Sequence, residues 1–556
     1  MPFRIGRPTG QTGPLVDAGA FVGRIDPLGF AGALAQVGTR TATRALPSRA
    51  VGLGVELAKI AVGKSSVAPD PKDWRFANRA WRENPAFHRL CQSYLAWAGA
   101  TTALVDDAGL DWRTEQRAKL ATTLLTTTLA PTNVGWLNPD SVERAYETGG
   151  RSVVRGFGNL WRDVATNRGF PRSVDPGAFV VGRDLAATPG AVVHRSEVCE
   201  LIQYAPTTET VGTVPLVLVP PQINKYYFMD LAPGRSFVEF CVRQGFQIFV
   251  LSWRNPTTEH RGWGIGAYVD AVEEASRAAC EITGTDRVNT VSLCAGGITT
   301  AAVLGHLAAR RDSLVNCATF AVTLLDFSVP TMIGMFATPG IAGNARRSSS
   351  RGGVLGSRNT TALFSMLRPN DLIWNYWVRN NLMGEDPPAF DILAWNADST
   401  RLPAALHADF LDMFLRNSLA GGEFSVGGQP IDLGRVDCDA FVVGAKTDHL
   451  TAWKACYAST QLLGGENTFA LSSSGHIQSL VNPPGNPKMS VAVGPAADAD
   501  PDRWLAGAEP TPGSWWEPWS AWVRARSGAP RPAPRALGSR EHPAQEPAPG
   551  CYVHER

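Results

Sequence analysis

The sequence predicts an α/β fold in which a mostly parallel sheet carries a long cap insertion and follows a mainly helical N-terminal domain. Three observations predict it. From about residue 210, short apolar runs alternate with helical stretches, the rhythm of a parallel sheet covered on both faces. One of these runs stops in an abrupt turn on small residues, SLCAGG at 292–297. The alternation then lapses between Phe327 and about Val436 before resuming, as a large insertion over a sheet edge would make it do.

Residues 1 to about 70 form a poorly defined segment rich in Gly, Ala and Pro, and the opening MPFRIGRPTGQTGP lacks the apolar core of a secretory signal. Within this segment AVGLGVELAKIAV (50–62) is amphipathic. It could lie on an apolar surface, but its weakly charged polar face better fits a plain helix docked on the body. Residues 71–205 read as mainly helical, with Trp74, Trp81, Leu90 and Leu95 near helical spacing and AKLATTLLTTTLA continuing the pattern. An aromatic stripe of this kind marks core more often than a site.

Residues 206–525 form the α/β domain. Its strand candidates are TVPLVLVPP, FQIFVLSW, RVNTVSL, VNCATFAV, DAFVVGA and NTFALSS, with helical stretches such as IGAYVDAVEEASRAACEIT between them. The insertion at about 327–436 is aromatic, including NDLIWNYWVRNNL and FDILAWNADSTRLPAALHADFLDMF, and reads as a cap. Residues 526–556, rich in Pro and Arg, read as an extended, solvated tail. No internal repeat is visible.

Composition narrows the function. Lys+Arg 52 against Asp+Glu 50 gives a formal charge of +2, so no basic excess points to nucleic acid. No apolar run is long enough to span a membrane. Nine scattered cysteines form no CxxC pair, which fits a reduced, cytoplasmic setting. Neither a metal motif nor a P-loop is present. GWGIGA (262–267) satisfies a dinucleotide fingerprint on paper. The preceding strand ends near Trp253, too early for the tight turn that such a site needs, so nucleotide binding is disfavoured.

The chemistry concentrates on TVSLCAGGITT (290–300), where a strand stops at Cys294 and a helix begins. This is the outline of the G-x-S-x-G nucleophile elbow with cysteine in place of serine and Ser292 in place of the first glycine. A buried structural cysteine would fit the same stretch. What separates the readings is chain order: FVVGAKTDHL delivers Asp448 after one later strand and NTFALSSSGHIQS delivers His476 after the next, the nucleophile–acid–histidine order of this topology. His476 would be the general base, and Asp448 would orient the imidazole or help move a second proton. The oxyanion donors expected are the backbone N–H groups of Ala295 and, from the loop PPQINKYY, Ile223. His449, adjacent to Asp448 and unable to take its orienting bond easily, is placed outside the reacting set.

With these residues in view, the chain resembles the polyhydroxyalkanoate synthases of the single-subunit type, acyltransferases of the α/β-hydrolase fold. SLCAGG resembles the family's lipase-like box, TDHLTAW its acid segment and SSSGHIQSLVNPP its histidine segment. DWRFANRAWRENP, PPQINKYYFMDL, SWRNP, RPNDLIWNYW, WNADSTRLP and PAPGCYV also look like family segments, so the likeness runs from about Asp73 onward. The resemblance implies polymerisation of (R)-3-hydroxyacyl-CoA, with 3-hydroxybutyryl-CoA the first expectation, through a Cys294 acyl thioester. It implies no cofactor, CoA being part of the substrate, a homodimer, and a cytoplasmic place on polyester granules with granule-associated proteins. A thioesterase or esterase using the same three residues, and a noncatalytic granule coat, are the alternatives. Direct activation of the incoming hydroxyl by Asp448 is the favoured elongation role, because a Cys–His pair depends less on its third member than Ser–His does.

Overall fold

The computed structural model describes residues 26–175 and 177–556. The opening of the N-terminal segment, residues 1–25, with the missing secretory core read there, lies outside the described residues. Apart from four two-residue strands between residues 354 and 430, the strands among the described residues are β1 (Gly190–Arg195), β2 (Cys199–Tyr204), β3 (Thr210–Gly212), β4 (Leu216–Val219), β5 (Ile248–Trp253), β6 (Val288–Leu293), β7 (Val315–Ala321), β8 (Asp439–Ala445), β9 (Asn467–Ser472), β10 (Ser490–Pro495), β11 (Pro510–Pro512) and β12 (Pro530–Pro532). Ten of them form one sheet in the order β1-β2-β5-β4-β6-β7-β8-β9-β10-β11. The six central strands run parallel and are the six apolar runs of the sequence. Their residues are buried almost throughout because helices cover both faces, which is why they read as continuous rather than alternating apolar stretches.

The edges differ from expectation. β1 and β2 are antiparallel additions, so the sheet begins at Gly190, inside the region read as mainly helical. Short strands carrying polar groups, such as the fully buried Glu200 in β2, offer no apolar run to see. At the other edge β10 and β11 are also antiparallel.

Among the described residues six longer helices precede the sheet: α1 (Phe30–Thr41), α2 (Ala45–Ala61), α3 (Pro85–Asp107), α4 (Trp112–Thr128), α5 (Pro139–Glu147) and α6 (Arg151–Asn167). The amphipathic stretch forms most of α2, which buries Ile60 against the bundle yet leaves Val51 and Val55 exposed, as is Val62 just past its end. Trp81 is buried with Phe76, Cys91 and Tyr94, so that part of the aromatic stripe is core, whereas Trp74 stays exposed.

α7 (Ile265–Thr283) and α8 (Ala295–Ala309) cover one face of the sheet. Between β7 and β8 the insertion folds into α9 (Pro339–Gly352), α10 (Ser357–Leu367), α11 (Asp391–Ala397) and α12 (Ala404–Arg416), with π-helical turns at Asn370–Trp374 and Trp377–Leu382. Leu120 of α4, Met335 and Leu367 of the insertion and Leu450 beside Asp448 share one apolar cluster. The helical domain and the cap therefore meet at the acid loop.

Residues 526–556 are not a solvated tail. β12 pairs with β3, Gln545 N–H donates to the Val192 carbonyl at 2.8 Å, and Tyr552 and Val553 are buried. Low apolar content suggested solvation, but the strap is held by hydrogen bonds. The buried Glu200 carboxylate accepts from the N–H groups of Cys551 and Tyr552 at 3.0 Å each.

Candidate active site

β6 delivers Cys294 to a turn with φ 49° and ψ −120°, a conformation that costs a non-glycine residue roughly 1–3 kcal/mol and survives only where the surroundings impose it. The surroundings here are tight. A Cβ on Gly296 would lie 2.4 Å from the Val219 carbonyl oxygen and 2.6 Å from that of Pro220, so only glycine lets α8 start this close to the loop after β4. Thr323 Oγ1 donates to the Cys294 carbonyl at 3.1 Å. Ser292, the departure from the glycine pattern, is fully buried and donates to the Thr319 carbonyl on β7 at 2.7 Å, so its hydroxyl is accommodated within the sheet.

His476 and Asp448 follow β9 and β8. Their side chains meet at 2.6 Å between Nδ1 and Oδ2, with the ring and the carboxylate both buried. Asp448 Oδ1 accepts from the N–H groups of Leu450 and Thr451 at 2.8 and 3.0 Å, and Oδ2 accepts from Thr451 Oγ1 at 2.6 Å. Thr451, which sequence reasoning missed, also lies 3.2 Å from His476 Nδ1. Its one sequence signal is its place three residues after an aspartate in a turn, where hydroxyl and N–H fold back on the carboxylate.

Burial opposes the charge on Asp448, but the His476 imidazolium and the bonds from His476 and Thr451 hold its carboxyl below the usual value. Burial likewise lowers His476, and is outweighed by the Asp448 charge and by the Cys294 sulfur beside the ring, which lift it to about 10. The imidazole thus stands between a buried carboxylate behind it and the sulfur in front.

That arrangement bears on Asp448. Both of its oxygens are engaged and its side chain is sealed from solvent. With Oδ2 bonded to His476 Nδ1, the carboxylate is placed to orient the ring. His449 makes no hydrogen bond to either partner among the described residues; burial lowers its pKa, Asp448 acts to raise it, and Arg368 of the cap lies near enough to lower it further.

The expected oxyanion donors lie on the two segments that meet at Gly296. Among the described residues, neither Ala295 nor Ile223 donates its N–H to a protein acceptor, which leaves both groups free for a ligand oxygen. The loop carrying Ile223 is clamped from two sides. From the cap, Thr400 donates through its N–H to the Ile223 carbonyl at 3.3 Å and through Oγ1 to that of Gln222 at 2.7 Å, and Trp395 Nε1 donates to the Lys225 carbonyl at 2.7 Å. From the strap, the carbonyls of Tyr552 and Glu555 accept from the buried Lys225 Nζ at 3.4 and 2.7 Å. Neither clamp was visible in the sequence, because both depend on contacts between distant segments.

The nucleotide-like GWGIGA leads into α7, whose first N–H, on Ile265, is taken by Asp409 Oδ2 of the cap at 2.7 Å. A carboxylate occupies the place that a phosphate would need. Among the described residues no group of histidine, cysteine and acidic side chains could hold a metal ion, and no helix is long and apolar enough to cross a membrane.

A cysteine on a strained strand-to-helix turn, followed in chain order by an acid and a histidine bonded to each other, belongs to the α/β-hydrolase fold. Residues 215–483 match the model of that fold. Residues 72–241 match the model described as the poly-beta-hydroxybutyrate polymerase (PhaC) N-terminus. Poly(3-hydroxyalkanoate) polymerase 2 of Ectopseudomonas oleovorans is 47% identical over 91% of this chain and 90% of its own. Polymerase 1 of the same organism is 44% identical over 90% of each chain. The poly(3-hydroxyalkanoate) polymerase subunit PhaC of Cupriavidus necator is 39% identical over 89% of this chain and 85% of its own. The chain belongs to the poly(3-hydroxyalkanoate) polymerase family, enzymes of the acyltransferase type.

Proposed function

We propose that this protein polymerises (R)-3-hydroxyacyl-CoA, 3-hydroxybutyryl-CoA first among the candidates, into polyester through an acyl thioester on Cys294. His476 Nε2 takes the thiol proton as the Cys294 sulfur attacks the thioester carbonyl, the oxyanion is met by the N–H groups of Ala295 and Ile223, and the carbonyl re-forms as the CoA sulfur departs. The proton on His476 goes to that sulfur. The neutral imidazole then takes the proton of the next unit's 3-hydroxyl, whose oxygen displaces the Cys294 sulfur, and the starting charges return. Asp448 stays ionised throughout and keeps Nδ1 bonded, so Nε2 faces the chemistry.

A thiol suits this task. Exchange between two thioesters is nearly isoenergetic, so loading is reversible, while transfer to a hydroxyl forms an oxyester and runs downhill. The cap, fixed to the helical domain by Trp377 Nε1 donating to the Asn133 carbonyl at 3.0 Å, keeps water from competing with the hydroxyl. Accumulating polyester would keep the enzyme at a granule surface.

The observation that carries this reading is the buried 2.6 Å Asp448–His476 pair beside Cys294 in a chain of this family. Purified protein supplied with 3-hydroxybutyryl-CoA, and separately with longer 3-hydroxyacyl-CoA thioesters, should release CoA and form insoluble polymer. Release of free 3-hydroxy acid in place of polymer would assign it as a thioesterase instead.

A further inference from the structure

α6 is amphipathic in the reverse sense. Toward the protein it presents Ser152, Gly156, Asn159 and Asp163, all buried. A Cβ on Gly156 would lie 2.2 Å from the Asn381 carbonyl oxygen, Asn159 Nδ2 donates to the carbonyls of Asn380 and Glu385 at 3.0 Å each, and Asp163 pairs with Arg172 at 3.0 Å. Toward solvent it presents Val153, Val154, Phe157, Trp161 and Val164, exposed by between 51% and 75%. A helix packed on a core shows the opposite arrangement. Turning the apolar side inward would break the bonds of Asn159 and drive side chains into the Asn381 backbone, so the exposed face is fixed in place.

The helix is also asymmetric around its axis. At ~100° per residue the five apolar positions share one sector roughly 100° wide, and Arg151, Arg155 and Arg162 gather on one flank of it, between the apolar sector and the buried polar one. Residues 150–172 carry five arginines against one acid, Asp163, and that acid is buried and paired. Among the described residues the one ion pair on the flank, Arg155 with Asp386 at 2.9 Å, joins two exposed groups, and such pairs contribute little.

We propose that α6 is a preformed interfacial helix that seats the protein on an anionic lipid surface, its apolar sector in the acyl boundary and its arginine flank among the headgroup phosphates. Charge decides between the occupants. A second copy would bring two surfaces of the same sign together. A neutral polyester surface would take the valines and aromatics but give the arginines no counter-ion. An anionic monolayer or bilayer satisfies both halves of the face, and Trp and Arg are the side chains that settle at such a boundary.

The test is flotation of the full chain with vesicles of phosphatidylcholine containing about 30 mol % phosphatidylglycerol, beside vesicles of phosphatidylcholine alone. The protein should float with the anionic vesicles, and high salt should release much of it. Phe157→Ser with Trp161→Ser, and separately Arg151→Gln with Arg155→Gln and Arg162→Gln, should each lower the bound fraction about tenfold or more. Because all five side chains are exposed and none bonds to Cys294, Asp448 or His476, thermal melting and CoA release should not change. Failure of the wild type to float, or equal binding to neutral vesicles, would overturn the proposal. So would binding that survives removal of the arginines, which would assign the face to a purely apolar surface such as polyester, or a dimer that dissociates in the Phe157/Trp161 variant, which would assign it to a second copy.

Discussion

Replacing Asp448 by Asn leaves the shape of the acid nearly intact and changes what His476 can do. The amide oxygen can keep the bonds from Leu450 and Thr451 N–H, which places the amide NH2 toward His476 Nδ1. An amide donating to Nδ1 moves the ring proton to Nε2, the tautomer that cannot accept a proton from an incoming hydroxyl. The charge behind the ring also disappears. His476 stands at about 10 with Asp448 ionised, against ~6.5 for an ordinary histidine. That difference is at most ~5 kcal/mol of proton affinity, shared between Asp448 and the Cys294 sulfur. The bond itself, between charged groups out of water, contributes ~1.5–3 kcal/mol, or roughly 10- to 100-fold in rate if lost in the transition state. Adding the tautomer change, we expect Cys294 acylation to slow about 10²- to 10³-fold, less than the ~10⁴ known for a serine nucleophile because a thiol needs less help. Rapid-quench measurement of acyl-enzyme, with polymer yield from the same preparation and a melting curve for folding, gives the answer. Acylation at the wild-type rate with elongation stalled would refute the orientation argument and return Asp448 to direct activation of the hydroxyl.

Cys294→Ala should abolish CoA release and acyl labelling, because the neighbouring Cys456 and the more distant Cys317 are buried with thiols pushed up by burial; residual labelling after thiol-directed peptide mapping would contradict this. Cys294→Ser should keep the fold, since φ 49° strains both residues alike, yet lose most polymer yield because a hydroxyl is harder to ionise and its adduct is an oxyester; near-normal yield would count against the thioester mechanism. Gly296→Ala should cost about 3 kcal/mol or more, seen as a lower midpoint in urea, because its methyl meets two backbone carbonyls that cannot yield separately. The His476–Asp448 pair should make stability pH-dependent in two directions. His476 is raised, so its contribution is full below ~pH 6.5 and fades as pH climbs toward about 10, while the depressed Asp448 contributes above ~pH 4 and fails as pH falls further. The melting difference between wild type and His476→Gln should therefore shrink from pH 6.5 to 10, and a difference that grows would show the sign to be wrong.

The legible parts of this protein were those written in contiguous residues. The six parallel strands are buried on both faces, so burial alone makes each an apolar run, and Cys294, Asp448 and His476 stand at the ends of three of them. What escaped were features assembled from distant polar groups. β1 and β2 hide behind Glu200 and Gln203, whose partners in the strap, the N–H of Tyr552 for Glu200 and of Gly538 for Gln203, lie more than 300 residues away. Residues 526–556 read as solvated because their proline and arginine content resembles a linker, whereas their docking rests on backbone bonds that composition does not encode. The role of Asp448 was open because sequence places the carboxylate but not its four hydrogen bonds.

The strap has a consequence in time as well as in space. Lys225 Nζ, two residues beyond Ile223, relies on the carbonyl of Glu555, 330 residues further along the chain. A ribosome has made Cys294, Asp448 and His476 well before it reaches Tyr552. Until that stretch emerges and threads back along β1, the oxyanion loop lacks one of its two anchors and Glu200 lacks the N–H groups it was buried to receive. An interrupted chain would thus hold Cys294, Asp448 and His476 while the loop carrying Ile223 still lacked its anchor to the strap.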